Sequence, residues 1–294
     1  MLVLEQLFTD MAELRSTVPG LESNLTFTDL NASALTARKR VTDLIGHTLY
    51  DSIVTDYQTK AEQYDALRMA VANFIARQHL VFDTIARRKD DIDVYKYELE
   101  EMERAYMDNY YNSMDTLMRL LCEEGSTDWK SSRLARMLEG LPIADASRFD
   151  ELYPIDLSYL FYFRTVPLQR EIFDTNLAGL YAKAARILDA DDSESQTILA
   201  RLDRVTAKWT VSLAMRRFDI IEFPAVIRNL FSDSKAVRNG QNVQQRLLQM
   251  ADDLSAECRS EIESLQMLLD SDTQTDISTR TSFNRADDLI IVMP

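Results

Sequence analysis

The sequence predicts an all-α chain: a tandem pair of related small antiparallel helical bundles, followed by an extended C-terminal arm ending in a short β-strand. Three observations carry this. Only 6 Gly and 6 Pro occur in 294 residues, against roughly 7% and 5% usual for each, so helix breakers are rare. Apolar residues recur at three- and four-residue steps over most of the chain. The same order of helices is also met twice.

Residues 1 to 16 read as one short amphipathic helix with Leu4, Leu7, Phe8, Met11 and Leu14 along it, stopped by Val18-Pro19-Gly20. Leu21 to Asn31 has no helical period and reads as loop or a short extended piece. Ala32 to Gly46 restores it with Leu35, Val41, Leu44 and Ile45, Ser33 being a plausible cap. Glu62 to about Arg87 is a long helix, and the charges Arg87 to Asp91 form a loop. Asp93 to Glu124 is the clearest helix, with Leu99, Met102, Tyr106, Tyr110, Met114, Leu117 and Leu121 on one stripe, and Gly125 ends it.

Trp129 to Glu139 predicts a short helix and Ile143 to Pro154 a connector between halves. An aromatic run then reaches Phe163, a helix spans Leu168 to Leu188, and Asp189 to Ser193 makes a capped break before another helix to Arg217. Phe223-Pro224 and Asn239-Gly240 bracket an irregular stretch with a short helix, and Val243 to Leu269 is the last long helix. The resulting domains are 1–31 (N-terminal helix and loop), 32–142 (first bundle), 143–270 (second bundle) and 271–294 (arm).

The repeat is weak but ordered. A shift of 148 lays Leu99 on Leu247, Met102 on Met250, Tyr110 on Cys258, Met114 on Ile262 and Leu117 on Leu265, and every pair stays apolar. A shift of 135 lays Leu67 on Leu202, Ala72 on Ala207 and Phe74 on Trp209. Any two amphipathic helices can be slid into some register, so the weight lies on the shared order of elements.

Chemistry-bearing constellations are scarce. His47 and His79 have no metal-ligand spacing, and Cys122 and Cys258 are isolated within apolar helical patterns. The acidic groups at Asp90-Asp91, Asp189 to Asp192 and Asp252-Asp253 lack the calcium-loop pattern. Glu98, Glu100, Glu101 and Glu103 lack the Glu-x-x-His partner of a helical di-metal site. With no nucleophile elbow or phosphate loop either, the chain is expected to be neither an enzyme nor a cofactor or metal binder.

Net charge is −15, with 48 acidic against 33 basic residues, so sequence-specific DNA binding is disfavoured. No apolar run approaches the ~20 residues of a membrane span, and the N-terminus lacks the pattern of a secretory signal. The expectation is a protein made in a cytoplasm with no membrane partner.

Two features suggest partner contacts. Tyr106, Tyr110 and Tyr111 crowd one helix together with Tyr95 and Tyr97; a core stripe is the plainer reading and a protein interface the functional one. Leu289, Ile290, Ile291, Val292 and Met293 form a β-prone apolar run after a polar segment, Ser271 to Ala286, that has no core face. A lone strand needs a neighbour, and strand addition to another chain supplies one. Fully extended, the polar segment would carry it roughly 50 Å.

Taken with the tandem helical halves, the run Leu49-Tyr50-Asp51, the stretch Leu67 to Arg77 and the terminal Ile290 to Met293, the chain resembles the head-to-tail connector (adaptor) proteins of tailed bacteriophages. The resemblance is to the larger helical connectors of Bacteroidetes phages and prophages, including the crAss-like group. It implies a homo-oligomeric ring, commonly a dodecamer, in the virion neck between capsid and tail. The ring would dock on the portal and other neck or tail proteins and pass double-stranded DNA without sequence specificity. A dodecamer of this chain would carry about −180 formally, a field that lets DNA slide. Smaller connectors have one bundle, so the duplication departs from the family pattern. The alternative is a cytoplasmic helical scaffold or regulator that binds one protein partner.

Overall fold

The computed structural model describes residues 2–22, 24–89, 96–187, 193–231 and 243–280. Helix dominates these residues and no strand occurs among them. The chain divides into two compact units, Met1–Glu139 with Ser158–Phe163, and Gly140–Leu157 with Arg164–Pro294.

In the first unit the expected N-terminal helix is two, α1 (Val3–Leu7) and α2 (Met11–Thr17). The break has a local cause. Asp10 accepts the Glu13 N–H at 2.8 Å, while the Glu13 carboxylate accepts the N–H and hydroxyl of Thr9, each at 2.7 Å, a reciprocal capping arrangement. These bonds, with the Arg68 guanidinium, hold the Glu13 carboxyl below its ordinary pKa.

Gly20 follows, at φ +100°, where a Cβ would stand 2.6 Å from the Tyr106 hydroxyl. Gly20→Ala therefore meets both a left-handed backbone and a clash, and should cost about 2–3 kcal/mol in denaturant unfolding. Tyr106→Phe, which removes only the bond to Pro19 O, should cost about 1 kcal/mol.

Helix α3 (Asn31–Ile45) ends at Gly46, at φ +89°. It is followed by α4 (His47–Thr55), a helix the sequence reading did not resolve, which buries Leu49, Tyr50 and Ile53. The unit is dominated by the hairpin of α5 (Ala61–Lys89) and α6 (Lys96–Glu124). Arg87, Arg88 and Lys89 continue α5 rather than forming a loop. Gln63 donates to Glu124 at 3.1 Å, the Phe74 and Tyr110 rings meet at a tilt with centroids 5.4 Å apart, and Arg77 Nε donates to Glu103 at 2.9 Å. Early α5 thus meets late α6, and the pair is antiparallel. Gly125, at φ +55°, closes α6. Two short helices capped by Ser126 and Ser132, α7 (Thr127–Lys130) and α8 (Arg133–Leu138), stand where one was expected.

The second unit opens with α9 (Ala146–Leu152), inside the segment expected to be a connector. Asp145 caps it through the Arg148 N–H at 2.9 Å, and Phe149 and Leu152 are buried. Seven residues are too few to display a helical period. The expected break between Phe163 and Leu168 is absent as well. Helix α10 (Tyr159–Ile172) runs through Pro167, and a π-helical turn at Phe173–Leu177 leads into α11 (Ala178–Ile187). Burial on both sides of the proline, at Phe161, Tyr162, Phe163, Val166 and Leu168, outweighs the lost backbone bond.

Helix α12 (Ser193–Arg217) and the last helix, which we number α14 (Val243–Arg280), form the second long hairpin. Between them lie a 3-10 turn at Ile220–Glu222 and the short α13 (Ala225–Arg228). Its core joins Leu177, Leu180 and Ala184 to Leu202 and Val205 of α12 and to Cys258, Leu265 and Leu269 of α14. Outside that seam run Arg201–Glu261 at 2.6 Å, Lys208–Glu257 at 2.9 Å and Arg216–Asp252. Half-exposed ion pairs contribute about 0–1 kcal/mol each, whereas one fully buried leucine contributes about 2 kcal/mol. The leucine seam therefore supplies the stability and the ion pairs set the antiparallel register.

Helix α14 continues to Arg280, ten residues past the point where the arm was expected to begin. No Gly or Pro occurs from Gln241 to Val292, so nothing local stops the helix at Asp270. Residues 281–294, with the expected strand Leu289 to Met293, lie outside the described residues.

Candidate functional site

Tyr106, Tyr110 and Tyr111 do not form an open face. Tyr110 is 3% exposed, with the Arg40 guanidinium over its ring at 5.4 Å. Tyr106 is 9% exposed and donates its hydroxyl to Pro19 O at 2.8 Å. Tyr111 is half-buried, its ring edge-on to Tyr110 at 5.4 Å. Aromatic bodies here fill the first unit's core and brace the N-terminal loop. Tyr106 and Tyr110 are packing residues rather than an open partner surface, because the helical stripe that carries them faces α5 and the Pro19 turn, whereas Tyr111 is only half-buried.

Polar groups outside this cluster also tie elements together. Arg148 reaches Glu151 at 3.0 Å and Asp203 at 3.3 Å, and Asp203 accepts the Tyr181 hydroxyl at 2.9 Å, which joins α9, α11 and α12. Burial and the Asp203 charge push the Tyr181 hydroxyl far above its ordinary pKa, so it stays protonated. Burial pushes the Cys258 thiol up to about 12, so at neutral pH it is a small apolar group rather than a thiolate nucleophile. Ser212 donates to Ala251 O at 2.7 Å and lies 2.8 Å from Ser255, locking α12 to α14 at the centre of the seam. Among the described residues, no three of His, Cys, Asp and Glu gather closely enough to hold a metal ion.

Among the described residues, burial pushes the Asp115 carboxyl well above the ordinary carboxylate range. Asp115 of α6 accepts the Ser158 hydroxyl and the Leu160 N–H, each at 2.8 Å, and so holds the start of α10 within the first unit. Burial drives it up to about 6, against the opposing effect of those two bonds. Sequence reasoning passed over it because an aspartate between Met114 and Leu117 reads as an ordinary polar position. Its partners lie 43 and 45 residues away.

Two grooves follow the hairpins. One, of about 530 Å³, is lined by Arg201, Arg204 and Lys208 of α12 with Glu257, Ser260 and Glu261 of α14, and is bridged by the ion pairs above. The other, of about 480 Å³, is lined by Ala66 and Met69 of α5 with Asn109, Asn112, Ser113 and Thr116 of α6. No helix among the described residues is long and apolar enough to cross a membrane. Comparison with protein-family models, with curated proteins and with solved structures finds no match to this chain.

Proposed function

We propose that the chain is a structural subunit of a tailed-phage virion, a head-to-tail connector that forms a homo-oligomeric ring on the portal and extends the DNA channel. The observation that carries this reading is the disposition of charge on rigid helices. Arg77, Arg148, Arg164, Arg201, Lys208 and Arg217 are engaged in ion pairs with carboxylates of their own unit. These six cations are thereby matched by carboxylates, while the chain as a whole keeps an excess of 15 negative charges. A channel of such subunits offers passing DNA little to adhere to. The role is structural rather than catalytic, and needs no cofactor.

The two long hairpins are, on this reading, a duplicated unit. Displaced by 135 on the first helix of the hairpin and 148 on the second, the pair Arg77–Glu103 falls on Ser212–Ala251. Both pairs bridge their hairpins, so at this one contact the sequence offsets agree with the hairpin register, which supports the reading. Superposition of α5–α6 on α12–α14 should make those residues equivalent. A best fit at another offset would reject the duplication.

Native mass spectrometry of the purified chain, alone and with the portal protein of the same virus, tests the connector role. The expected result is a single high-order species in the presence of the portal. A chain that stays monomeric and ignores the portal instead supports a helical scaffold that binds some other protein.

A further inference from the structure

A cleft of about 470 Å³ opens where the break between α1 and α2 meets the turn from α4 into α5. Its walls are aromatic. The Arg68 guanidinium lies over the rings of Phe8 and Tyr64, its Cζ 4.8 Å and 5.5 Å from their centroids. Tyr64 is fixed by its hydroxyl, which donates to the carbonyls of Gln6 and Leu7 at 3.1 Å. Tyr57 stands against it, ring centroids 5.4 Å apart at 44°, and its hydroxyl accepts from Gln58 Nε2 at 3.4 Å. Unlike the other two rings, Tyr57 is 48% exposed and lies open to solvent.

The cleft is also acidic. Glu5, Glu13 and Asp65 line it against a single cation, Arg68. Arg68 is bonded to Glu13 and lies 3.6 Å from Asp65, and with its side chain 17% exposed it belongs to the wall. Glu13 is occupied too, by Thr9 and Arg68. Glu5 and Asp65 have capacity left. Glu5 accepts the Leu2 N–H through Oε2 at 2.8 Å, and the Asp65 side chain, turned to Arg68 through Oδ1, is 71% exposed. An open ring beside two such carboxylates suits a guanidinium, which stacks through its plane and donates N–H groups to oxygen at its edge. Arg68 makes that combination within this same cleft, over two rings and beside two carboxylates.

We propose that the cleft receives an arginine side chain presented by a basic segment of a partner protein, with Tyr57 under its guanidinium and Glu5 and Asp65 at its edge. Charge complementarity names the partner. A chain of net charge −15 draws basic segments and repels acidic ones, its own copies included. A lysine fits less well, because its ammonium neither stacks flat nor offers a rigid fork to carboxylates. The cleft would serve a monomer or a ring alike.

Titration of the full chain with N-acetyl-arginine amide, followed by two-dimensional NMR, tests it. Saturable shifts are expected at Tyr57, Gln58 and Asp65, at about millimolar strength. N-acetyl-citrulline amide, of nearly the same shape but uncharged, should give none, and N-acetyl-lysine amide should bind several-fold more weakly. Tyr57→Leu should weaken binding by about fivefold or more, as should Glu5→Gln combined with Asp65→Asn. These side chains are exposed, so the melting temperature should hold, and circular dichroism checks that it does. An equal response to the citrulline amide, shifts spread over the acidic surface, or binding indifferent to Tyr57→Leu overturns the proposal. Tighter binding of spermidine than of the arginine amide would also overturn it, by making the cleft a site for a free polyamine. Self-association of the chain that Tyr57→Leu abolishes would do the same, by seating a second copy there.

Discussion

Asp115→Ala is expected to destabilise the chain most in mild acid and least above neutrality. The substitution leaves the Leu160 N–H and the Ser158 hydroxyl without their acceptor at the start of α10. Two orphaned donors should cost about 2–4 kcal/mol near pH 4.5. Ionisation then opposes this loss. Burial raises the folded-state pKa of Asp115 from 3.8 to about 6. The unfolded chain therefore releases this proton first as pH rises, and the wild type loses stability between about pH 4 and pH 6, by up to about 3 kcal/mol.

The alanine variant has no such loss, so the gap between the two should narrow across that window to about 1 kcal/mol or less at pH 8. Asp115→Asn keeps an acceptor and carries no charge. It should match the wild type in acid and equal or exceed it at pH 8. Urea unfolding of the three proteins at several pH values checks this. A gap that widens with pH would mean that the carboxylate is favoured in its ionised form at this site.

Removing residues 286–294 should leave folding intact and disable assembly. The segment carries Leu289 to Met293, five apolar residues of high β propensity beyond the end of α14. Among the described residues, Leu265 and Leu269 are the last α14 residues in the core cluster of the second unit. Because α14 runs to Arg280, only residues 281–288 separate the helix from the proposed strand. Extended, they reach roughly 25 Å, half the span expected from the sequence. That distance still allows pairing with an adjacent subunit or the portal, where the strand's backbone groups would find partners. Helical content and melting temperature should hold while binding to the portal falls by about a hundredfold or more. Intact binding with a destabilised monomer would place the strand in its own domain.

The sequence announced long helices better than short ones. The stripes through Leu67 and Phe74 and through Tyr110 and Leu117 repeat often enough to be read, and α5, α6, α12 and α14 lie within a few residues of expectation at their N-terminal ends. Helices α4, α7 and α9 are only four to nine residues long, and the caps of the last two, Ser126 and Asp145, act through a single bond each. Pro167 misled because its local effect is reversed by burial supplied by residues far away in sequence.

The candidate surfaces were harder to read for the same reason. Asp115 and Asp156 look like any surface aspartate until the fold sets Ser158, Leu160 and Val226 against them. Leu157 belonged to the apolar run ending at Phe163, yet the run divides. Phe161, Tyr162 and Phe163 are buried, while two left-handed residues turn Leu157 outward. A pattern of residue types carries no trace of that change in φ.

Electron cryomicroscopy of the purified chain bound to its portal tests the central claim most directly. The account predicts a closed ring of this chain coaxial with the portal, its helical hairpins presenting carboxylates to a lumen wide enough for duplex DNA. A single copy bound at the side of the portal, or a closed oligomer without a through-channel, would contradict it.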